Sequence, residues 1–176
     1  MITEEIKKDV RKGMIVLDVG AGDLKLAKKL VNKGALVDAI DIVIPTNPLS
    51  EVNFFKASFE EIPSILINKK YDMVIALNSL QFCDKTFALN VLLPLFMEIL
   101  KEGGRLYLET FLKKPTGFFP KIKSFYSLKD FEKFGTVVYG VEDYEEDHKI
   151  NRHVPVGIHF TDCIIEKPKN TMIYST

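Results

Sequence analysis

The stretch "VLDVGAGDLKLA", residues 16–27, constrains this chain more than any other, because an apolar run meets two glycines and then restarts as a helix. The run over 14–19 is interrupted only by Asp18, which is typical of a strand buried in a parallel sheet. The helical pattern that follows ends at Gly34. Ligands of open α/β sheets bind beyond the carboxyl ends of the strands, so this strand-to-helix turn is the first place to look for a site.

Strand and helix patterns continue to alternate along the chain. The spacing of apolar residues predicts an N-terminal helix over 1–12 and a helix over 86–101, with a break where Pro94 opens a second helix. Further strands are predicted at "ALVDAID", "NFFKA", "YDMVIAL" and "RLYLET". The last two strands, "TVVYGVE" and "GIHFTDCIIE", follow each other with only a loop between them. This order predicts an α/β fold, a parallel sheet with helices on both faces that ends in an antiparallel pair.

Length and charge narrow the class of protein. The chain has 176 residues, so we predict a single domain over 1–176 with a frayed tail over 168–176. The 24 basic and 24 acidic residues balance, which argues against a nucleic-acid partner. No apolar run approaches the length of a membrane span, and the N-terminal residues carry no signal-like apolar region. We therefore expect a cytoplasmic protein with no membrane partner.

The glycine turn distinguishes between classes of ligand. A nucleoside triphosphate would need G-x-x-x-x-G-K-[ST], which is absent, and a dinucleotide would need a third glycine where Lys25 stands. Asp41 ends the next strand, where a carboxylate can accept both hydroxyls of a ribose. Asp18 precedes the first glycine and suits a ligand with a cationic ammonium, such as S-adenosylmethionine. The alternative for Asp18 is a strand-end residue that bonds loop amides.

These segments resemble the class I S-adenosylmethionine-dependent methyltransferases along nearly the whole chain. "VLDVGAG" resembles their glycine motif, "DAID" their ribose-binding acid, "YDMVIALNSLQF" their fourth strand with its turn, and "LKEGGRLYLE" their fifth strand. The resemblance implies a doubly wound, seven-stranded, mostly parallel sheet of order 3-2-1-4-5-7-6 that ends in an antiparallel hairpin. It also implies S-adenosylmethionine as the cofactor and a small-molecule methyl acceptor. "GFFP", "YEED", "HKINRH" and "IIEKPK" resemble, more loosely, segments of the tellurite-resistance methyltransferases.

The same resemblance implies a set of site residues. The implied cofactor contacts are Asp18, Gly20, Ala21, Gly22, Asp41, Ile42, Ser58, Phe59 and Asn78. The candidate acceptor residues are Gln81, Phe82, Phe118, Phe119, His148 and His153. The two histidines are placed in the connection between the last strands, where they could bind a soft anion, accept a proton or simply be solvated. Methyl transfer from a sulfonium needs no universal base, so no catalytic residue is assigned. No group of Cys and His has the spacing of a metal site.

Two positions depart from the family pattern. Leu24 stands where a third glycine is usual, and its side chain is expected to crowd the methionine end of the cofactor. Ser58 stands where an acid commonly contacts the adenine amine, so that contact is expected to be weaker. These departures leave open a degenerate member of the fold that binds a cofactor or a partner without catalysis. A nicotinamide-dependent oxidoreductase is the other alternative, and the missing dinucleotide glycine and the antiparallel pair count against it.

Overall fold

The computed structural model describes residues 2–114, 121–150 and 154–169. The helices are α1 (Ile2–Asp9), α2 (Lys25–Asn32), α3 (Ile62–Ile65), α4 (Lys85–Phe87), α5 (Leu93–Ile99) and α6 (Leu128–Phe131). The strands are β1 (Ile15–Val19), β2 (Leu36–Asp41), β3 (Val52–Lys56), β4 (Tyr71–Leu77), β5 (Leu100–Phe111), β6 (Thr136–Ile150) and β7 (Val154–Glu166). Single helical turns of other types lie at Leu80–Phe82, Ala88–Leu92 and Glu132–Phe134.

The seven strands form one sheet in the order β3-β2-β1-β4-β5-β7-β6. Neighbouring strands from β3 to β5 are parallel, whereas β7 runs antiparallel to both β5 and β6. The predicted fold class and strand order are therefore confirmed. In the sheet, β1 lies between β2 and β4. The strands that follow β1 in the chain, β2 and β3, lie on one side of it, and β4 and β5 lie on the other, so the strand order reverses beside the carboxyl end of β1.

Alternate side chains of β1 enter two apolar cores on opposite faces of the sheet. Leu17 and Val19 pack into the core that includes α5, and Val16 packs into the core that includes α1 and α2. A strand buried on both faces needs apolar residues at successive positions, which explains the unbroken run in the sequence. The one polar member, Asp18, is buried near the end of the strand.

The helical segment near Pro94 differs from the predicted one. Helical turns continue from Lys85 to Ile99 without the expected break, and Pro94 lies in the first turn of α5. A wide π turn, Ala88–Leu92, comes directly before it. Proline has no N–H to donate, so in a regular helix the carbonyl one turn earlier would lose its hydrogen-bond partner. The different hydrogen-bonding pattern of the π turn allows the helical turns to continue past this position. The prediction that Pro94 opens α5 is confirmed, and the prediction of a break is wrong.

The last two strands form a longer hairpin than the sequence predicts. β6 pairs with β7 as far as Ile150 opposite Val154, so His148 belongs to β6 and not to the connection between the strands. The charged residues of this segment do not prevent pairing, because the ladder is made by backbone groups. His153 and residues 170–176 lie outside the described part of the chain.

Helix α1 is anchored to the sheet by both ends. The Ile2 amide donates to Asp162 Oδ2 at 3.2 Å, and Asp9 Oδ2 accepts from Arg105 Nη1 at 2.8 Å and from the Tyr107 hydroxyl at 2.5 Å. The predicted N-terminal helix is thus present and ends at Asp9. Across the residues that the structure describes, no helix combines the length and the apolar character needed to cross a bilayer.

Candidate functional site

A cavity of about 570 Å³ opens where β1, β2 and β4 end, at the reversal of strand order. This volume lies within the range of small-molecule sites, which is about 300–1,000 Å³. The cavity is lined by Val19, Gly20, Ile40, Asp41, Ile42, Ala57, Ser58, Phe59, Glu60, Ile62, Asn78, Ser79, Phe82, Lys121 and Lys123. Six of the nine predicted cofactor residues belong to this wall, and the role of each remains a prediction.

The turn after β1 is pressed against the turn after β4. A β-carbon on Gly20 would lie 2.3 Å from Ser79 Cβ, which no real contact allows, and the φ of Gly20 is +77°. The amides of Gly20 and Ala21 both donate to the Ile40 carbonyl, at 2.8 and 3.1 Å. Only glycine meets both requirements, so the first glycine of the motif is needed for this close approach.

Asp41 joins the first two βα turns. Its Oδ2 accepts from the Gly22 amide and its Oδ1 accepts from the Val43 amide, both at 2.8 Å. These two bonds hold the carboxylate at the cavity wall, and each oxygen keeps a further lone pair for a ligand. Ala21 and Gly22 themselves do not line the cavity. Any effect that they have on a ligand is therefore indirect and acts through the position of the Asp41 carboxylate.

Asp18 lies behind the turn and does not line the cavity. Its side chain is 3% exposed, and Oδ2 has no hydrogen-bond partner. Burial, and secondarily the charge of Asp41, raises the pKa of Asp18 to about 7. Asp41, and not Asp18, accepts the loop amides, so the alternative in which Asp18 does so is not what the structure shows.

Leu24 turns away from the cavity. It lies just before α2 with a left-handed backbone, φ +60°, and its side chain is 1% exposed within the core that contains Ala27 and Leu30. The expectation that Leu24 crowds the cofactor is therefore wrong. The position keeps the backbone conformation that favours glycine, while the side chain packs into the protein interior.

The segment after β3 supplies another part of the wall. Ile42, Ser58 and Phe59 line it, as predicted, together with Ile62 from α3. The amide of Ser58 donates to Glu61 Oε2 at 2.8 Å, which fixes the turn between β3 and α3. Glu60, which the sequence reasoning missed, lines the cavity beside them and is exposed.

The turn after β4 carries Asn78, Ser79 and Phe82 to the wall. Asn78 adopts φ +51°, a left-handed conformation that asparagine tolerates. Its backbone N–H donates to the backbone carbonyl of Glu109 at 2.8 Å. Ser79 was missed by the sequence reasoning. It is 3% exposed, and its hydroxyl has no partner. Phe82 is 41% exposed at the cavity, as a ligand contact should be.

Gln81, predicted as an acceptor residue, is not at the wall. Gln81 is 1% exposed, and its backbone carbonyl accepts from the backbone N–H groups of Lys123 and Ser124 at 2.8 and 3.1 Å. This pair of bonds attaches the chain after β5 to the turn after β4 and brings Lys121 and Lys123 to the cavity. Phe118 and Phe119 lie outside the described residues, and His148 is placed only as a member of β6.

Solved structures similar to this chain include S-adenosylmethionine-dependent methyltransferases. The chain is similar to the 1,6-didemethyltoxoflavin-N1-methyltransferase of Burkholderia thailandensis, solved with 1,6-didemethyltoxoflavin and S-adenosylhomocysteine: TM-score 0.69, 16% identity, 96% of this chain and 77% of that one. It is also similar to TehB of Haemophilus influenzae, a tellurite-resistance methyltransferase, with a TM-score of 0.72 and 14% identity. That match covers 94% of this chain and 61% of TehB.

A third match is a methyltransferase of Archaeoglobus fulgidus, with a TM-score of 0.68, 17% identity, and coverage of 93% of this chain and 90% of that one. No family model and no curated protein matches the sequence. At these identities the matches establish the fold. The predicted resemblance to class I methyltransferases, including the tellurite-resistance group, is confirmed at that level.

Proposed function

We propose that this chain is an S-adenosylmethionine-dependent methyltransferase that acts on a small molecule. The observation that carries the proposal is the cavity at the switch point, where Asp41 is held at the wall and Gly20 lets the turn after β1 pack against Ser79. The structures with this fold that were solved with S-adenosylhomocysteine support the same cofactor.

The residues present fit this cofactor. Asp41 would accept the ribose hydroxyls, because both of its oxygens are already oriented by loop amides. Ile42 and Phe59 would hold the adenine ring, and the Ser58 hydroxyl would bond its amine. Asp18 offers a buried oxygen without a partner behind the glycine turn, and a nearby ammonium would favour its ionised form.

The cofactor, when bound, supplies a methyl group that a positively charged sulfur has already activated. Asp41, Ile42 and Phe59 would hold this cofactor, whose sulfur would keep the electrons of the carbon–sulfur bond while the acceptor's lone pair took the methyl group. The protein's own residues therefore have to position the acceptor and exclude water. The exposed ring of Phe82 is suitably placed for this on the cavity wall.

Other features agree with this proposal. The inward packing of Leu24 removes the main reason to expect weak cofactor binding, and with it much of the case for a degenerate, non-catalytic member. A small-molecule acceptor agrees with the 1,6-didemethyltoxoflavin bound by one structural neighbour. Cys83 and Cys163 are free and buried, which favours a reducing compartment, and we propose the cytoplasm.

Thermal unfolding with added nucleotides tests the proposal. S-adenosylhomocysteine should raise the melting temperature, and NAD should not. A ligand at about 100 times its dissociation constant stabilises the folded state by about 2.7 kcal/mol. A shift with NAD alone would instead favour the oxidoreductase, and no shift with either would contradict a nucleotide site in this cavity.

A further inference from the structure

Two lysines line the cavity, and within the described residues neither has a partner for its charge. Lys121 and Lys123 lie on the wall with Ser79 and Phe82, and both are exposed. Neither ammonium pairs with another residue that the structure describes. Other lysines of the chain do find partners: those at positions 69, 85 and 101 each contact an aspartate at 2.7–2.9 Å. The two cavity lysines are therefore available to an anionic ligand.

The position of these lysines is fixed by the fold. The amide of Lys123 donates to the Gln81 carbonyl at 2.8 Å, and the next residue, Ser124, donates from its hydroxyl to the Cys83 carbonyl at 2.6 Å. Tyr126 continues the attachment, since its amide donates to the Phe111 carbonyl at 2.8 Å. The backbone that carries the lysines is thus ordered before any ligand arrives, which lowers the entropic cost of binding.

The acids of the wall lie on other segments. Asp41 ends β2 and already accepts two loop amides, and Glu60 follows Phe59 on the segment after β3. Those segments carry the residues that the proposed function gives to the cofactor. The basic side chains lie instead against the turn after β4. The backbone that carries the lysines is bonded at Gln81, on the turn that also holds Ser79 and Phe82.

Ser79 is buried where the glycine turn meets the turn after β4. Its buried hydroxyl has no partner, and it is 3.2 Å from the position that a β-carbon on Gly20 would take. The hydroxyl is therefore at the boundary between the glycine turn and the turn after β4. Phe82 adds an exposed aromatic ring to the same wall.

We infer that the methyl acceptor is a small organic carboxylate with an apolar body, whose carboxylate is bound by Lys121 and Lys123 and whose body contacts Phe82. The inference rests on the proposed methyl transfer, because only then does the cavity hold an acceptor beside the cofactor. Ammonium–carboxylate pairs are stronger than neutral hydrogen bonds, so the lysines would distinguish an acid from its amide.

Matched pairs of acids and amides test this assignment. Calorimetry on the protein saturated with S-adenosylhomocysteine would compare nicotinate with nicotinamide and para-hydroxybenzoate with para-hydroxybenzamide. The acids should bind about tenfold more tightly than the amides, a preference that added salt reduces. Combining Lys121→Ala with Lys123→Ala should abolish the preference. Combining Lys28→Ala with Lys29→Ala, two exposed lysines of α2, removes the same charge elsewhere and should preserve it.

The outcomes separate this inference from the proposed function. Failure of S-adenosylhomocysteine to bind would contradict both. Binding of S-adenosylhomocysteine with no binding of any acid at millimolar concentration would overturn the carboxylate assignment alone. Equal affinity for acids and amides, or a preference that survives in the double variant at positions 121 and 123, would also overturn it. A melting temperature for each variant verifies that it is folded.

Discussion

Leu24 allows a sharp test of the glycine turn. Its left-handed backbone conformation favours glycine, whereas the burial of its side chain favours leucine. The side chain is 1% exposed, and truncating a buried leucine to alanine costs about 2–5 kcal/mol of unfolding free energy. The backbone, at φ +60°, costs a non-glycine residue about 1–2 kcal/mol. Glycine removes that cost. Its greater conformational freedom in the unfolded chain, however, destabilises the folded state by about 0.4–1 kcal/mol. We expect Leu24→Gly to be destabilised, yet to be more stable than Leu24→Ala by about 0.5–1 kcal/mol.

Urea unfolding of the two variants measures this difference directly, and Ala27 provides the control. Ala27 is fully buried within α2, where glycine costs about 1 kcal/mol relative to alanine, so Ala27→Gly should change stability in the opposite direction. Titration with S-adenosylhomocysteine should give the same affinity for both Leu24 variants and for the wild type. A glycine variant less stable than the alanine variant, or an affinity that rises on truncation, would refute this account of Leu24.

Three further predictions concern the acids and glycines of the site. Asp41→Ala should weaken S-adenosylhomocysteine binding by about 1.5–3 kcal/mol, the range for hydrogen bonds to charged groups. Asp23→Ala, at an exposed position on the adjacent glycine turn, should not weaken it, and equal affinities of the Asp41 variant and the wild type by calorimetry would exclude Asp41 as the ribose ligand. Asp18 has its pKa raised by burial from 3.8 to about 7, so its protonated form stabilises the folded state at low pH, and this stabilisation is lost as pH rises to about 7. This pKa shift corresponds to about 4 kcal/mol of unfolding free energy. In urea titrations, the stability of Asp18→Asn relative to the wild type should therefore rise by up to that amount between about pH 4 and pH 8. A difference in stability that does not change with pH would contradict this prediction. Gly20→Ala should unfold the turn or the protein, because the new β-carbon would collide with Ser79. At Gly22 a β-carbon meets no atom within 4 Å, so Gly22→Ala should lose only the stability that corresponds to the strain of its positive φ. Equal melting temperatures for the two variants would disprove the steric argument.

Most of the fold could be predicted from the sequence because its signals are local. Apolar runs between turn residues located every strand, and the glycine turn with Asp41 located the carboxyl edge at which the cavity opens. These features depend on residues close together in the chain, where periodicity and turn chemistry are informative. Pro94 was also placed correctly in a first turn, although the π turn that replaces a break has no recognisable pattern.

The errors and omissions have a tertiary cause. The direction of the Leu24 side chain follows from a positive φ that leucine rarely adopts, so its residue type gave the wrong expectation. The burial of Gln81 and the arrival of Lys123 at the cavity both follow from hydrogen bonds between segments about 40 residues apart. A stretch rich in lysine and aromatic residues after β5, "KKPTGFFPKIK", was the available signal.

The contact between Gly20 and Ser79 also limits how this chain can evolve. A β-carbon at position 20 has no space while position 79 carries one, so a substitution at the first glycine is not tolerated by itself. Removing the side chain at position 79 would open the space, but it would also delete a hydroxyl from the cavity wall. Any mutational path that remodels this turn therefore passes through a protein that is either misfolded or altered at its ligand site. Descendants of this sequence should accordingly keep the two positions together or replace them as a pair.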